Sequence, residues 1–191
     1  METVTGAAIL PLLPELARLR IAVFREFPYL YEGDLAYEQT YMRVYAEAQA
    51  AAIIIARDGE RIVGASTCLP LAAETPNVQK PFRDAGMDIP RIFYFGESVL
   101  ESAYRGRGIG VKFFEAREAQ ARAHGYGITA FCAVQRPADH PARPKDYQPL
   151  DDFWRKRGYT PYPELVCTIS WREVGANLET EKPLMFWIKI L

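Results

Sequence analysis

The 191-residue chain has little of what many chemistries depend on. It has two histidines, His124 and His140, and three cysteines, Cys68, Cys132 and Cys167, with no Cys-x-x-Cys pair among them. An odd, unclustered set of thiols gives neither a disulfide framework nor zinc-ligand spacing, so no metal is expected and the cysteines read as small apolar core groups. Charge of one sign is also missing: 23 Lys and Arg stand against 24 Asp and Glu, which removes the electrostatic footprint of a nucleic-acid or anionic-membrane binder. No uncharged stretch approaches the ~18 residues of a bilayer span, and the first residues carry no basic-then-apolar leader. These absences predict a cytoplasmic protein whose partner is a small molecule or peptide, with no nucleic acid and no membrane. Length, and an apolar fraction of 49%, predict one domain over residues 1–191.

Several motifs are missing too. A P-loop needs Gly, four residues, then Gly-Lys-Ser/Thr, and no such string occurs. A dinucleotide fingerprint needs a glycine three residues after Gly108, where Val111 stands. Ser98 lies after Glu97, but Leu100 occupies the second glycine position of Gly-x-Ser-x-Gly and neither histidine is nearby in sequence. There is no internal repeat and no low-complexity tract.

What is present predicts alternating elements. A weak strand near Thr3–Ile9 precedes a helix opened by Pro14-Glu15, and a second helix starts near Asp34. Two apolar runs, Ala52–Ala56 and Ile62–Leu69, flank Asp58-Gly59 and predict a hairpin. Residues 70–91, with four prolines, predict a long irregular connection with a single helical turn around Phe82. Ile92–Leu100 reads as a central strand covered on both faces. Ile109, Phe113, Ala116 and Ala123 then recur at helical spacing, with Lys112, Glu115, Glu118 and Arg122 on the other side, before a strand at 128–134. That strand-helix-strand unit predicts two parallel strands. Residues 135–149 form a second irregular loop. A short helix over Asp151–Arg157 and strands at Leu165–Trp171 and Leu184–Leu191 complete the chain, with Trp171 and Trp187 as core or interface residues.

Arg105-Gly106-Arg107-Gly108-Ile109-Gly110 stands between the central strand and its helix. Glycines let backbone N–H groups approach a ligand, and a helix N-terminus adds unpaired donors and partial positive charge, so the spot suits a phosphate. Arg105, Gly108 and Gly110 resemble the Arg/Gln-x-x-Gly-x-Gly/Ala motif of the GNAT N-acetyltransferase superfamily. The later phrase Phe153-Trp154-Arg155-Lys156-Arg157-Gly158-Tyr159 is similar to that family's late helix. The resemblance covers residues 50–191 well and the N-terminal helices only by their order.

The resemblance implies an α/β fold, with a mixed central sheet flanked by helices, antiparallel N-terminal strands and a parallel βαβ unit that binds acetyl-CoA. It implies transfer of an acetyl group to a primary amine, the pyrophosphate seated on Arg105–Gly110 and the pantetheine running beside Val99. Glu97, two residues before Val99 in an apolar strand, is the candidate general base, because burial strengthens a carboxylate's hold on a proton; its structural reading is a strand-end Glu paired with an arginine. The family's tyrosine that protonates the departing thiolate is replaced by Trp154. Tyr147 is taken as the donor, with Tyr159 and unassisted departure as alternatives.

The connection Phe27–Asp34, between the first two helices, is expected to fold over the acyl end. If it is extended, Tyr29 and Tyr31 face one side and bind the acceptor, with Glu32 and Asp34 adding negative charge for an ammonium group. Three alternatives stand beside acetyl transfer: a catalytically idle CoA sensor, a protein-interaction domain, and an acyltransferase using a longer acyl-CoA, with Arg91 or Arg136 reaching a distal carboxylate. A homodimer is compatible with all of them.

Overall fold

The computed structural model describes all 191 residues. Seven strands form one sheet: β1 (Glu2–Val4), β2 (Ala52–Asp58), β3 (Arg61–Pro70), β4 (Ile92–Leu100), β5 (Ile128–Val134), β6 (Thr160–Arg172) and β7 (Glu179–Ile190). Their spatial order is β1-β2-β3-β4-β5-β7-β6. Every neighbouring pair is antiparallel except β4–β5, which is parallel as the strand-helix-strand pattern predicts. The helices are α1 (Leu13–Phe24), α2 (Leu35–Tyr41), α3 (Val44–Glu47), α4 (Pro76–Asp84), α5 (Ile109–Ala123) and α6 (Asp151–Arg155). No helix is long and apolar enough to cross a membrane.

The sheet separates two cores. α1 and α4 cover one face with Leu16, Leu19, Val78 and Phe82, against Tyr94, Val99 and Phe186. α5 covers the other with Phe113, Phe114 and Ala121, against Ile54, Phe95, Phe131 and Trp187. β2 and β4, in the middle, are buried on both faces, which is why their sequences are nearly unbroken apolar runs. Local chemistry sets the helix starts: Pro14 and Pro76 sit in first turns, where no backbone donor is needed, and Asp34 caps α2 by accepting from Tyr37 N at 2.8 Å.

Four expectations change. The opening strand stops at Val4, and Gly6–Leu12 is a 3-10 helix. The 70–91 connection contains the nine-residue α4, because Pro76 starts a helix rather than breaking one. β6 and β7 begin at Thr160 and Glu179, earlier than expected; β6 is an edge strand, where Pro161 and Pro163 cost no ladder bond. Glu118 belongs to the buried face of α5, where its carboxylate takes Lys189 Nζ at 2.8 and 2.9 Å. All three cysteines are free and lie in strands.

Candidate active site

The parallel pair carries the feature that organises the site. β4 and β5 are in register at Ile92–Ile128, Phe93–Thr129 and Tyr94–Ala130, and there the ladder ends. β4 continues to Leu100 and β5 to Val134 with no pairing between them, although β5 stays bonded to β7 up to Val134–Leu184. The two strands therefore splay, leaving one edge of β4 without a partner strand beyond Tyr94. A cavity of about 410 Å³ occupies the notch, lined among others by Gly96, Glu97, Phe131, Ala133 and Trp154.

A bulge positions Glu97. The β3–β4 register shifts between Ser66–Ser98 and Cys68–Phe95, so Thr67 alone faces Gly96 and Glu97. Thr67 Oγ1 accepts from Glu97 N at 3.0 Å, and Ser66 Oγ donates to Glu97 O at 3.1 Å. Only glycine fits at position 96, because a Cβ there would meet the Tyr45 hydroxyl and stand 2.6 Å from Thr67 Oγ1. Sequence alone does not show this constraint.

Glu97 lines the cavity and is 8% exposed. Its carboxylate forms an ion pair with Arg20 of α1, and Arg20 also pairs with the buried Glu38 of α2. The guanidinium lies over the rings of Phe24 and Tyr41, at 5.1 and 4.8 Å. The arginine partner of the alternative, structural reading of Glu97 is therefore present, alongside the burial expected of a general base. Glu97 is thus both a wall of the cavity and the partner of a buried arginine. Arg20 was findable: it falls four residues from both Leu16 and Phe24, on the apolar stripe of α1.

Beside this cluster lies Glu74, which burial pushes up to about 7. One of its oxygens accepts from Thr75 N at 3.1 Å and the other has no partner. No sequence signal marked it.

Tyr147 also lines the cavity, its ring edge-on to Phe27 at 4.7 Å and Arg143 above it at 4.9 Å. Burial raises its phenol, which therefore keeps its proton at neutral pH. Tyr159, the alternative donor, is committed elsewhere: its hydroxyl contacts Thr129 Oγ1 at 2.9 Å and Glu118 at 3.3 Å, outside the cavity. Trp154 does reach the cavity, packed against Phe131 and Trp187.

The connection after α1 is not extended. Leu30 has φ +55°, so the side-to-side alternation that would align Tyr29 and Tyr31 is broken. Tyr29 lines the cavity and packs at a tilt against Phe24 and Trp171, while its carbonyl accepts from Trp171 Nε1 at 2.9 Å and Arg136 at 3.0 Å. Tyr31 and Glu32 do not line it; Glu32 pairs with Arg25 at 2.8 Å. Arg136 is bound to the Pro28 and Tyr29 carbonyls and to Glu173, and Arg91 is exposed outside the cavity, so neither is free to receive a carboxylate there.

At the far end of β4 the glycine loop bows outward. Gly106 and Gly108 have φ of +75° and +78°, left-handed values that L side chains rarely adopt, and open space lies where a Cβ would point. α5 begins at Ile109. Val111 N and Lys112 N both bond to the Gly108 carbonyl, leaving the N–H groups of Ile109 and Gly110 without intramolecular acceptors. Gly110 lies close to Phe153, which leaves room for little more than a Cβ. Arg105 braces the loop, donating to Leu100 O at 3.1 Å and pairing with Glu26 at 2.8 Å, while Arg107 lies over Tyr104 at 5.2 Å. Val99 turns its side chain into the core. A free strand edge, an adjoining cavity and a helix N-terminus with unpaired donors together fit a long, phosphate-bearing thioester.

Comparisons with known proteins identify the family and the fold. The model of the acetyltransferase (GNAT) family matches residues 16–144. The fold resembles a ribosomal-protein-alanine N-acetyltransferase from Brucella melitensis, with 15% identity, TM-score 0.63 and full coverage of both chains. It also resembles an aminoglycoside 6'-N-acetyltransferase complexed with coenzyme A, with 16% identity, TM-score 0.62 and coverage of 100% and 97%. A third similar structure is a putative acetyltransferase from Salmonella typhimurium with its cofactor acetyl-CoA, with 10% identity, TM-score 0.61 and coverage of 100% and 93%. Among curated proteins, none matches the sequence. The chain belongs to the GNAT acetyltransferase family.

Proposed function

We propose that the protein transfers an acetyl group from acetyl-CoA to a primary amine of a small molecule or peptide, by direct attack with both substrates bound. The observation that carries this reading is the splay of β4 from β5 beside a glycine loop with unpaired N–H groups. When bound, acetyl-CoA supplies an activated acyl carbonyl. The backbone of Arg105–Gly110 holds its pyrophosphate, and the free edge of β4 around Val99 orients its amide-bearing arm.

Glu97 faces the acceptor's ammonium group in the cavity, and Tyr29 forms part of the wall that receives it. Only the neutral amine has a lone pair to attack with, so the ammonium group first gives a proton to the Glu97 carboxylate, directly or through water. The N–C bond then forms, the C–S bond breaks and the nitrogen's second proton leaves to water. Tyr147 gives a proton to the departing sulfur and regains one from water.

Calorimetric titration tests the reading. Acetyl-CoA is expected to bind with micromolar Kd, and no binding up to millimolar concentration overturns it. A panel of amino acids, polyamines, aminoglycosides and peptide N-termini, read by released thiol, then identifies the acceptor. With that acceptor, Glu97→Gln is expected to lower kcat by about 10²-fold, as removal of a general base does. Unchanged turnover from pH 6 to 9 removes Glu97 from that role.

A further inference from the structure

Six charged side chains are buried: Arg20, Glu38, Glu97, Arg117, Glu118 and Lys182. Five have ion-pair partners within the chain, and Arg117 has none. It is 2% exposed, lies in the middle of α5 and lines the cavity. Its side chain makes one hydrogen bond, from Nε to the Phe113 carbonyl at 3.3 Å. Phe95 and Phe114 lie against the guanidinium, at 4.3 and 4.6 Å to the ring centroids. These rings offer a flat seat and leave the fork of terminal nitrogens without an acceptor.

A buried cation without a counter-charge is costly, and a guanidinium fork matches a carboxylate in shape and charge. Burial lowers Arg117 to about 10 against the opposing influence of Tyr159, Cys68, Glu97 and Glu118, so it stays charged at neutral pH. Phe95, Phe114, Phe131, Trp154 and Trp187 wall the cavity, and of its two carboxylates, Glu97 is paired with Arg20 and neither Glu97 nor Asp151 forms an ion pair with Arg117.

We propose that Arg117 receives a carboxylate at the end of the donor's acyl group, so that the site accepts, besides acetyl-CoA, a short dicarboxylic acyl-CoA of the succinyl kind. The inference rests on reading the notch as an acyl-CoA site and extends the range of acyl groups carried there. The donor, rather than the acceptor, is assigned because Arg117 projects from the helix that begins at the glycine loop. The Tyr29 and Tyr147 walls already have cations of their own in Arg136 and Arg143.

The test is calorimetric titration of the whole protein with CoA, acetyl-CoA, butyryl-CoA and succinyl-CoA. Butyryl-CoA matches the succinyl chain in length without its charge. Succinyl-CoA is expected to bind about tenfold or more tightly than butyryl-CoA, as a charge-assisted pair with a buried guanidinium would give. Arg117→Met is expected to erase that difference and leave the affinity for CoA itself within about twofold. If that variant does not fold, Arg117→Lys is expected to lose about tenfold for succinyl-CoA alone, since it keeps the charge but not the fork. Equal affinities for succinyl-CoA and butyryl-CoA in the wild type, with CoA bound, overturn the inference alone. Failure of CoA itself to bind overturns the acyl-CoA reading beneath it. Free succinate is titrated separately: binding that depends on Arg117, without any advantage of succinyl-CoA over butyryl-CoA, assigns the carboxylate to another molecule and also overturns the proposal.

Discussion

The glycine loop and the Arg20 cluster lie on the same sheet but are built in opposite ways. The loop works through backbone: two left-handed glycines, a helix start and unpaired N–H groups, all within six consecutive residues. The cluster works through side chains from three distant elements, Arg20 of α1, Glu38 of α2 and Glu97 of β4, held together only when the helices close over the sheet. A backbone site is written in a short string and tolerates little change within it. A side-chain site is dispersed along the chain, and each member depends on the burial and charge of the others.

The largest expected effect separates the two. Gly108→Glu places a side chain and a negative charge where the phosphate would sit, and its φ of +78° adds strain of about 1–2 kcal/mol. Acetyl-CoA binding should become undetectable by calorimetry, with only a modest fall in Tm. Binding within tenfold of wild type would show that the loop is not the phosphate seat.

The cluster should respond in stability. Arg20→Leu leaves Glu38 and Glu97 buried without their cation, and breaking such a set costs about 3–5 kcal/mol in urea unfolding. Adding Glu38→Gln should restore part of that loss, because one uncompensated charge is removed. A loss below 1 kcal/mol in the single variant would mean that the three groups are far better solvated than their burial implies.

The smallest effect sharpens the comparison through pH. Glu74 is raised from the ordinary carboxylate value near 4.5 to about 7 by burial. A raised folded-state value contributes stability that is fully present below the unfolded value and lost as pH rises through the folded one. From pH 4.5 to 7.5 the wild type should therefore lose up to about 3 kcal/mol relative to Glu74→Gln, the free-energy equivalent of that shift. Parallel pH profiles for the two proteins would mean that Glu74 is not held up by its surroundings.

Much of the site was legible because its chemistry is local. The parallel unit, the helix after Gly108 and the loop itself follow from periodicity, glycine placement and chain order, and Glu97 and Tyr147 do meet at one cavity. Tyr31 failed to join them because an extended connection was assumed, and the backbone at Leu30 turns instead. Arg117 was passed over because an arginine among Phe113, Phe114 and Ala121 reads as a charge on an otherwise apolar stripe. Its meaning depends on there being no carboxylate at ion-pairing distance, and that is a property of neighbours far away in sequence.

The sequence by itself determined the order of most elements, the parallel direction of β4 and β5 and a glycine turn at the start of α5, since periodicity and glycine placement are local and a helix between two strands carries the chain back to run the second strand parallel to the first. Tertiary structure decided which charges are paired, which tyrosine reaches the cavity and where the strands part, because burial and the distance between distant residues exist only after the chain has packed.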